Sequence, residues 1–434
     1  MKQSIRVTMV GLITCFLLTL AGSSAFSDSK RPLTIEEICQ SEALELESLE
    51  CLKWTPDSKG LTYLKEMGPD TVMSLFIHDL TSGEEKLLID GETVFVPGSE
   101  EPLEIEDYFW LPDGNRILIL TDSRDIWRHS VEGIYFVYDP DDQQIIPVHD
   151  KDEPIMNVRL SPDGNSIGYA CGTDIYITDI GSGQATRLTH DGSADILNGL
   201  FDWVYEEEFS ITQAWEWSPD GKRVAFWRMD QSAEKEFVWI EYDSLYQTIR
   251  SNRYPKVGEK NAEVRIGIID LENPETVWVE TGQEAAEYIP RITWTPDSEH
   301  LLIQTLNRNQ DTLELFLADA RTGAGRVILS ETDDCWVEIN DSIVFVEETD
   351  QFVWLSERDG FSHVYLGNLD GSTLTALTSG EWEIRRLYGV RDGWVYYCSN
   401  EGNVLEKHIW RVRLDGSERE QISSGNGWHS VMFS

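Results

Sequence analysis

The chain has 434 residues, room for one large domain or about three ordinary ones, and at 41% hydrophobic and 26% charged it has the composition of a folded protein. Lys and Arg number 35 against 78 Asp and Glu, a formal charge of −43 that repels phosphate backbones and anionic lipid surfaces and argues against nucleic acid as a partner. The acid is spread along the chain and reads as solubility, while 16 Trp, 15 Tyr and 15 Phe favour strands over a helical bundle.

The chain opens with Lys2 and Arg6 before an apolar run from Val7 to Gly22, followed by the small residues Ser23-Ser24-Ala25. Residues 1–25 therefore read as a signal peptide, and the mature chain is expected to be exported, periplasmic or secreted. A retained N-terminal membrane anchor is the alternative, and no later stretch is apolar enough to span a bilayer. Residues 26–50 form an N-terminal segment before the repeats. Cys39, Cys51, Cys171, Cys335 and Cys398 remain after cleavage, odd in number and without C-x-x-C, so neither a zinc site nor a disulfide framework is indicated. Cys39 and Cys51 are left as either a bridge or two buried thiols.

From residue 51 onward the sequence repeats. An aromatic or Leu, then Ser/Thr/Leu-Pro-Asp, recurs at Trp54–Asp57, Trp110–Asp113, Leu160–Asp163, Trp217–Asp220 and Trp294–Asp297. Pro presets the first corner of a turn, Asp caps it, and Gly114, Gly164 or Gly221 takes the strained position. An alternating strand such as Arg223-Val224-Ala225-Phe226-Trp227 follows each turn. A second signature closes each unit at Asp79, Asp139, Asp179, Asp270 and Asp319, with degenerate copies ending at Leu369 and Leu414. Several short strands repeating at about 40 to 60 residues predict an all-β fold, a β-propeller, with seven blades visible. Gly427 to Ser434 reads as the opening strand of a further blade, an eighth begun at 428–434.

The unit of Pro219 is longer than its neighbours. The excess falls at about 234–262, where Tyr242 to Tyr246 and Tyr254-Pro255 suggest an arm projecting from the blade. A shorter insertion at 198–212 carries Asp202-Trp203-Val204-Tyr205-Glu206-Glu207-Glu208-Phe209. Three adjacent carboxylates among aromatics are costly if buried without a cation, and two converging on one ammonium ion would clamp an amine; a solvated acidic loop is the plainer alternative. Arg128, in Trp127-Arg128-His129-Ser130, is one of few cations in its neighbourhood, and on its own reads as a surface ion pair. Gly164-Asn165-Ser166-Ile167-Gly168 spells a nucleophile elbow, but it lies in a Pro-Asp-Gly turn running into a strand and lacks the following helix. Carboxylates in Glu100 to Asp107 offer at most a loose calcium site. No residue of the chain is expected to be catalytic, and no cofactor or metal is expected.

Asn198 to Glu208, Trp217-Ser218-Pro219-Asp220-Gly221, Ile240-Glu241-Tyr242, Arg253 to Gly258, Trp127 to Ser130 and Trp354 to Gly360 together resemble the N-terminal β-propeller of the dipeptidyl peptidase IV family. The resemblance runs from Leu33-Thr34 to the last residue, and Asp-Trp-Val-Tyr-Glu-Glu-Glu is its most specific element. It implies an eight-bladed propeller that in the family joins a C-terminal α/β-hydrolase domain, and an exopeptidase activity releasing N-terminal dipeptides, usually after Pro or Ala. It also implies that Glu207 and Glu208 hold the substrate's free α-amine, that Arg128 binds a substrate carbonyl and orients the glutamates, and that the arm supports a homodimer. The hydrolase domain and its Ser, Asp and His triad are absent from this sequence, so the chain alone is expected to be inactive. Its expected partners are a peptide with a free N-terminus, that missing hydrolase domain and a second copy. The expected function is the substrate-gating, N-terminus-recognising propeller of an exported serine exopeptidase. A stand-alone periplasmic propeller that binds peptides or acts as a scaffold is the rival, and a halophilic adhesion propeller is a third reading that only the charge favours.

Overall fold

Each Pro-Asp turn is tied off by its own side chains. Thr55, Ser161, Ser218 and Thr295 donate their hydroxyls to the Asp two residues on, at 2.8, 2.6, 2.7 and 2.6 Å. The same oxygens accept the backbone N–H of Gly60, Ser166, Arg223 and His300, five residues on. One hydroxyl thus closes the turn and fixes the start of the next strand, which explains why Ser or Thr precedes the Pro. Leu111 has no hydroxyl, and there Asp113 takes the Arg116 guanidinium at 2.6 Å and the backbone N–H groups of Asn115 and Arg116.

In this computed structural model the described residues are 34–35 and 49–434, apart from 69–70, 97, 151–152 and 282–286. The expected leader at 1–25 and Cys39 lie outside them. Cys51, Cys171, Cys335 and Cys398 are free thiols. Among the described residues no helix is long and apolar enough to cross a membrane.

Strands β1 (Glu50–Trp54), β2 (Gly60–Glu66), β3 (Met73–Asp79) and β4 (Glu85–Ile89) form the first antiparallel meander. The second is β5 (Asp107–Trp110), β6 (Ile117–Asp125), β7 (Val131–Asp139) and β8 (Gln144–Pro147). The third is β9 (Ile155–Leu160), β10 (Ser166–Cys171), β11 (Asp174–Asp179) and β12 (Gln184–Arg187). The far end of β7 also pairs with β9, Glu132 with Met156, which merges these two meanders into one eight-stranded sheet. The fourth unit begins with β13 (Ile196–Asn198), β14 (Trp215–Trp217) and β15 (Arg223–Asp230). The chain then leaves as a two-stranded ribbon, β16 (Glu236–Glu241) and β17 (Thr248–Arg253), before β18 (Glu263–Asp270) and β19 (Thr276–Trp278) complete the sheet. Three further meanders follow: β20 (Tyr288–Trp294), β21 (His300–Leu306), β22 (Thr312–Asp319) and β23 (Gly325–Thr332); β24 (Val344–Phe345), β25 (Gln351–Ser356), β26 (His363–Asn368) and β27 (Leu374–Ala376); β28 (Ile384–Arg391), β29 (Trp394–Ser399), β30 (His408–Arg413) and β31 (Arg419–Gln421). Beyond them Trp428 makes one parallel bridge to Lys407, and residues 429–434 form no strand.

Successive β-meanders arranged this way are the all-β propeller that the repeat predicts. The interior strands of a sheet that packs between two others are buried on both faces: Val224, Ala225, Phe226 and Trp227 are all at most 1% exposed. This corrects the sequence reading of that strand as alternating. Some last strands are polar and exposed instead, as in Gln184–Arg187 and Arg419–Gln421. The core lies between neighbouring sheets, as where Leu64 and Leu75 meet Tyr108, Ile119 and Phe136. The turns stack as well. Gly114, Gly164 and Gly221 sit at φ of 73°, 71° and 70°, and a Cβ on each would meet Pro56, Pro112 and Pro162 of the preceding turn at 3.9, 2.7 and 3.5 Å.

Candidate functional site

The glutamate segment is an excursion from the edge strand of the fourth sheet. β13 and β14 both pair with β15, on the same side of it, and residues 199–214 loop out between them. Gly199 leaves the sheet by donating to Trp227 O, and the Trp227 N–H donates to Ala214 O where the chain returns, both at 3.0 Å. The excursion is a helix, Trp203–Phe209, where the sequence suggested only a loop. Asp202 caps it by accepting the Tyr205 N–H at 3.0 Å, and Ser210 ends it in the left-handed region at φ 51°. Arg291 donates to the Phe209 carbonyl at 2.8 Å, satisfying one of the last orphan acceptors.

Aromatic packing sets the direction of this helix. Tyr205 stacks on Phe201 at 5.1 Å, meets Phe209 edge-on at 5.2 Å, and accepts the Ile289 N–H of β20 at 2.8 Å. Trp203, on another side, packs against Tyr254 at the root of the ribbon, 4.7 Å between centroids. With Val204, Tyr205, Glu206 and Phe209 buried, Glu207 is left half-buried and Glu208 exposed.

The three glutamates have three different environments. Glu206 is fully buried, at 0% exposed, and among the described residues no cation pairs with it. Its carboxylate accepts the backbone N–H groups of His129 at 2.7 Å and Ser130 at 3.0 Å, together with the Ser130 hydroxyl. The expectation that a buried carboxylate here needs a cation is thus corrected: three hydrogen-bond donors hold it instead. The donors come from the tip of the β6–β7 hairpin, whose nine-residue strands carry it out to the helix. Glu206 therefore places Arg128 beside the helix, where its Nε lies 3.4 Å from Glu207 Oε1. The Arg128 side chain is 71% exposed, so this pair contributes little stability; its importance is positional. Glu208 has no ion-pair or hydrogen-bond partner among the described residues, and it lines a cleft of about 210 Å³ with Arg291, Gln310, Trp336 and Asp341. The structure thus brings together Arg128 and Glu207, with Glu208 next to them on the same helix. Arg128 meets Glu207 alone, and Glu208, turned toward the neighbouring cleft, keeps a carboxylate without an ion-pair partner among the described residues.

The remaining sequence candidates are accounted for locally. Ser166 begins β10, paired with Asp179, and Gly168 is small because a Cβ there would lie 2.4 Å from Trp215. That segment is a packing element, with no helix following it. Within Glu100–Asp107, Asp107 pairs with Lys53 at 2.5 Å and Glu106 accepts the Ser123 N–H at 3.2 Å. Sequence reasoning missed the separate environment of Glu206; the aromatic register of Trp203, Tyr205 and Phe209 around it was the available signal.

Fold and site together define a β-propeller whose fourth sheet carries a short acidic helix, held against an arginine hairpin tip. Residues 111–434 match the model of the dipeptidyl peptidase IV (DPP IV) N-terminal region, and the chain belongs to that family. It is 30% identical over 427 residues to a Coccidioides posadasii protein named "Probable dipeptidyl-aminopeptidase B", covering 88% of this chain and 46% of the relative. It is 29% identical over 474 residues to the dipeptidyl-aminopeptidase B of Aspergillus niger, covering 95% and 50%. Among solved structures, the crystal structure of Porphyromonas gingivalis dipeptidyl peptidase 4 superposes with a TM-score of 0.80 at 28% identity, over 93% of this chain and 57% of that one. The chain spans about half the length of the curated relatives it matches.

Proposed function

We propose that this chain is the substrate-admitting, N-terminus-recognising propeller of an exported dipeptidyl-peptidase-type serine exopeptidase. Peptide hydrolysis itself would need the hydrolase domain that the family's full-length members carry. The carrying observation is the Arg128–Glu207 pair, with Arg128 pinned by Glu206 and with Glu208 the next residue of the same helix. An ammonium ion offers three N–H donors and no acceptor, so two carboxylates on adjacent residues suit it better than one. Arg128 is left with donors for a carbonyl oxygen of the same peptide. A free α-amine held there would set how far a peptide can extend from its N-terminus, which is the physical content of measuring two residues. The exposed ribbon is proposed to support a homodimer, and the leader at 1–25 to direct export.

The test is titration of the full chain with a short peptide carrying a free amine, beside the same peptide N-acetylated. The free amine should bind at least tenfold more tightly, and Glu207→Gln with Glu208→Gln should erase the difference. Equal binding of the two peptides by the unaltered chain would refute the clamp.

A further inference from the structure

Away from the acidic helix, three unlike donors converge where the second meander passes into the third. His149 and Glu153 belong to the connection between β8 and β9, and Cys171 is the last residue of β10. Their ligating atoms, one from each, all lie within 4.8 Å of one another. His149 Nε2 is 3.2 Å from Glu153 Oε2 and 3.5 Å from Cys171 Sγ. Cys171 is 7% exposed, whereas the Glu153 side chain is 57% exposed. The cluster is therefore rooted in the core and open on one side.

Proton accounting fixes which way the imidazole faces. Thr178 Oγ1 donates its single hydrogen to the Val148 carbonyl at 2.9 Å, and a carbonyl can only accept. The contact between Tyr169 OH and Thr178 Oγ1, also 2.9 Å, must then be donated by the tyrosine. With that hydrogen spent, Tyr169 accepts from His149 Nδ1 at 2.9 Å. Nδ1 carries a proton, and Nε2 faces a carboxylate oxygen. A carboxylate and an imidazole nitrogen at that distance need a hydrogen or a positive ion between them, and the Cys171 thiol, 3.5 Å from Nε2, supplies a hydrogen there that a metal ion would displace. A hydroxyl chain that fixes the tautomer from behind is the arrangement that orients a metal-ligating histidine.

We propose that His149, Glu153 and Cys171 form a binding site for a divalent transition-metal ion of the zinc type, with a fourth position open to water. One nitrogen, one sulfur and one carboxylate oxygen suit a borderline ion and are wrong for calcium or magnesium. The spacing fits as well. Tetrahedral bonds of about 2.1 Å to nitrogen and oxygen and about 2.3 Å to sulfur place nitrogen and sulfur about 3.6 Å apart, and nitrogen and oxygen about 3.4 Å apart. The 3.5 and 3.2 Å found lie within a few tenths of those values. Binding replaces the Cys171 S–H bond by a metal–sulfur bond and releases one proton to solvent, with no change of oxidation state. The bound ion would clip the β8–β9 connection to the end of β10.

The full chain, reduced and stripped with a chelator, is titrated with Co²⁺ as a spectroscopic probe and then with Zn²⁺. One equivalent of Co²⁺ should bind, with a thiolate-to-cobalt charge-transfer band in the near ultraviolet. Zn²⁺ should displace it, raise the unfolding temperature and release one proton per ion, read from the buffer dependence of the binding heat. Cys171→Ser should lose the band. Glu153→Gln alters only an exposed side chain, keeps the fold testable if Cys171→Ser does not, and should weaken binding at least tenfold. Absence of saturable binding, binding without the charge-transfer band, or an unchanged affinity in Glu153→Gln would each overturn the site. The last two outcomes would assign the cation to the diffuse acidic surface, or leave His149 simply as an imidazolium paired with Glu153.

Discussion

Glu234 stands at the root of the ribbon and is 3% exposed, yet among the described residues neither of its carboxylate oxygens has a hydrogen-bond partner within 3.5 Å. Arg253, the cation nearest to it in the chain's return, spends its guanidinium on the Glu234 backbone carbonyl at 2.7 Å and on Asp195 at 2.5 Å. Burial pushes the Glu234 carboxyl from its ordinary 4.5 up to about 7; the charge of Asp202 adds to the rise, and the Ala262 amide and Arg253 oppose it. The protonated form is the one that fits the fold. Its contribution is whole below about pH 4.5 and is lost as pH rises through 7, a difference of about 3 kcal/mol between the two limits. Glu234→Gln keeps the shape and removes the ionisation. It should match the unaltered chain within about 0.5 kcal/mol at pH 4.5 and exceed it by about 3 kcal/mol at pH 8.5. Denaturant unfolding of both proteins at a series of pH values gives the difference curve, in which the titrations of groups uncoupled from Glu234 cancel and that of Asp202 remains. A difference that stays flat across this range would refute the reasoning. The effect bears on the site, because Asp202, pushed up to about 6 by its own burial, is the cap of the glutamate helix.

Glu206→Ala leaves two backbone N–H groups and a hydroxyl without an acceptor, so it should destabilise the chain by about 3 kcal/mol and speed amide exchange at His129 and Ser130; unchanged exchange there would count against the pinning of Arg128. Leu245 and Tyr246 at the ribbon tip are 92% and 80% exposed, so if the ribbon joins two copies, Leu245→Glu with Tyr246→Glu should convert a dimer into a monomer by light scattering. A monomer before substitution would remove that proposal. Gly168→Ala drives a methyl to 2.4 Å from Trp215 and should destabilise by about 2 kcal/mol or more, while a serine-reactive phosphonate should leave Ser166 unlabelled.

The architecture was legible because its information is local. A Ser or Thr, a Pro and an Asp in sequence carry a turn whose hydrogen bonds all close within five residues, as Ser218, Asp220 and Arg223 demonstrate. The burial pattern was less legible. Val224 to Trp227 looks like a strand with one wet face, and only the stacking of sheet on sheet makes both faces dry. The helix at Trp203–Phe209 was missed for a related reason: seven residues with three adjacent carboxylates have little intrinsic tendency to form a helix, and this one exists through the Asp202 cap, Arg291 at its far end and the Tyr205 bond to β20.

The residues of the proposed site come from the motif, but what separates their environments lies in contacts across 76 or more positions of chain. By letter Glu206, Glu207 and Glu208 are equivalent. The helix turns them by about 100° each, so one faces the core, one the hairpin and one the cleft. Only the first meets a set of donors that can replace water, namely His129 N–H, Ser130 N–H and the Ser130 hydroxyl. That difference orders the segment: the buried carboxylate is consumed in fixing Arg128, and the two that remain near solvent keep charge to offer. A binding role for Glu207 and Glu208 therefore depends on Glu206 having none.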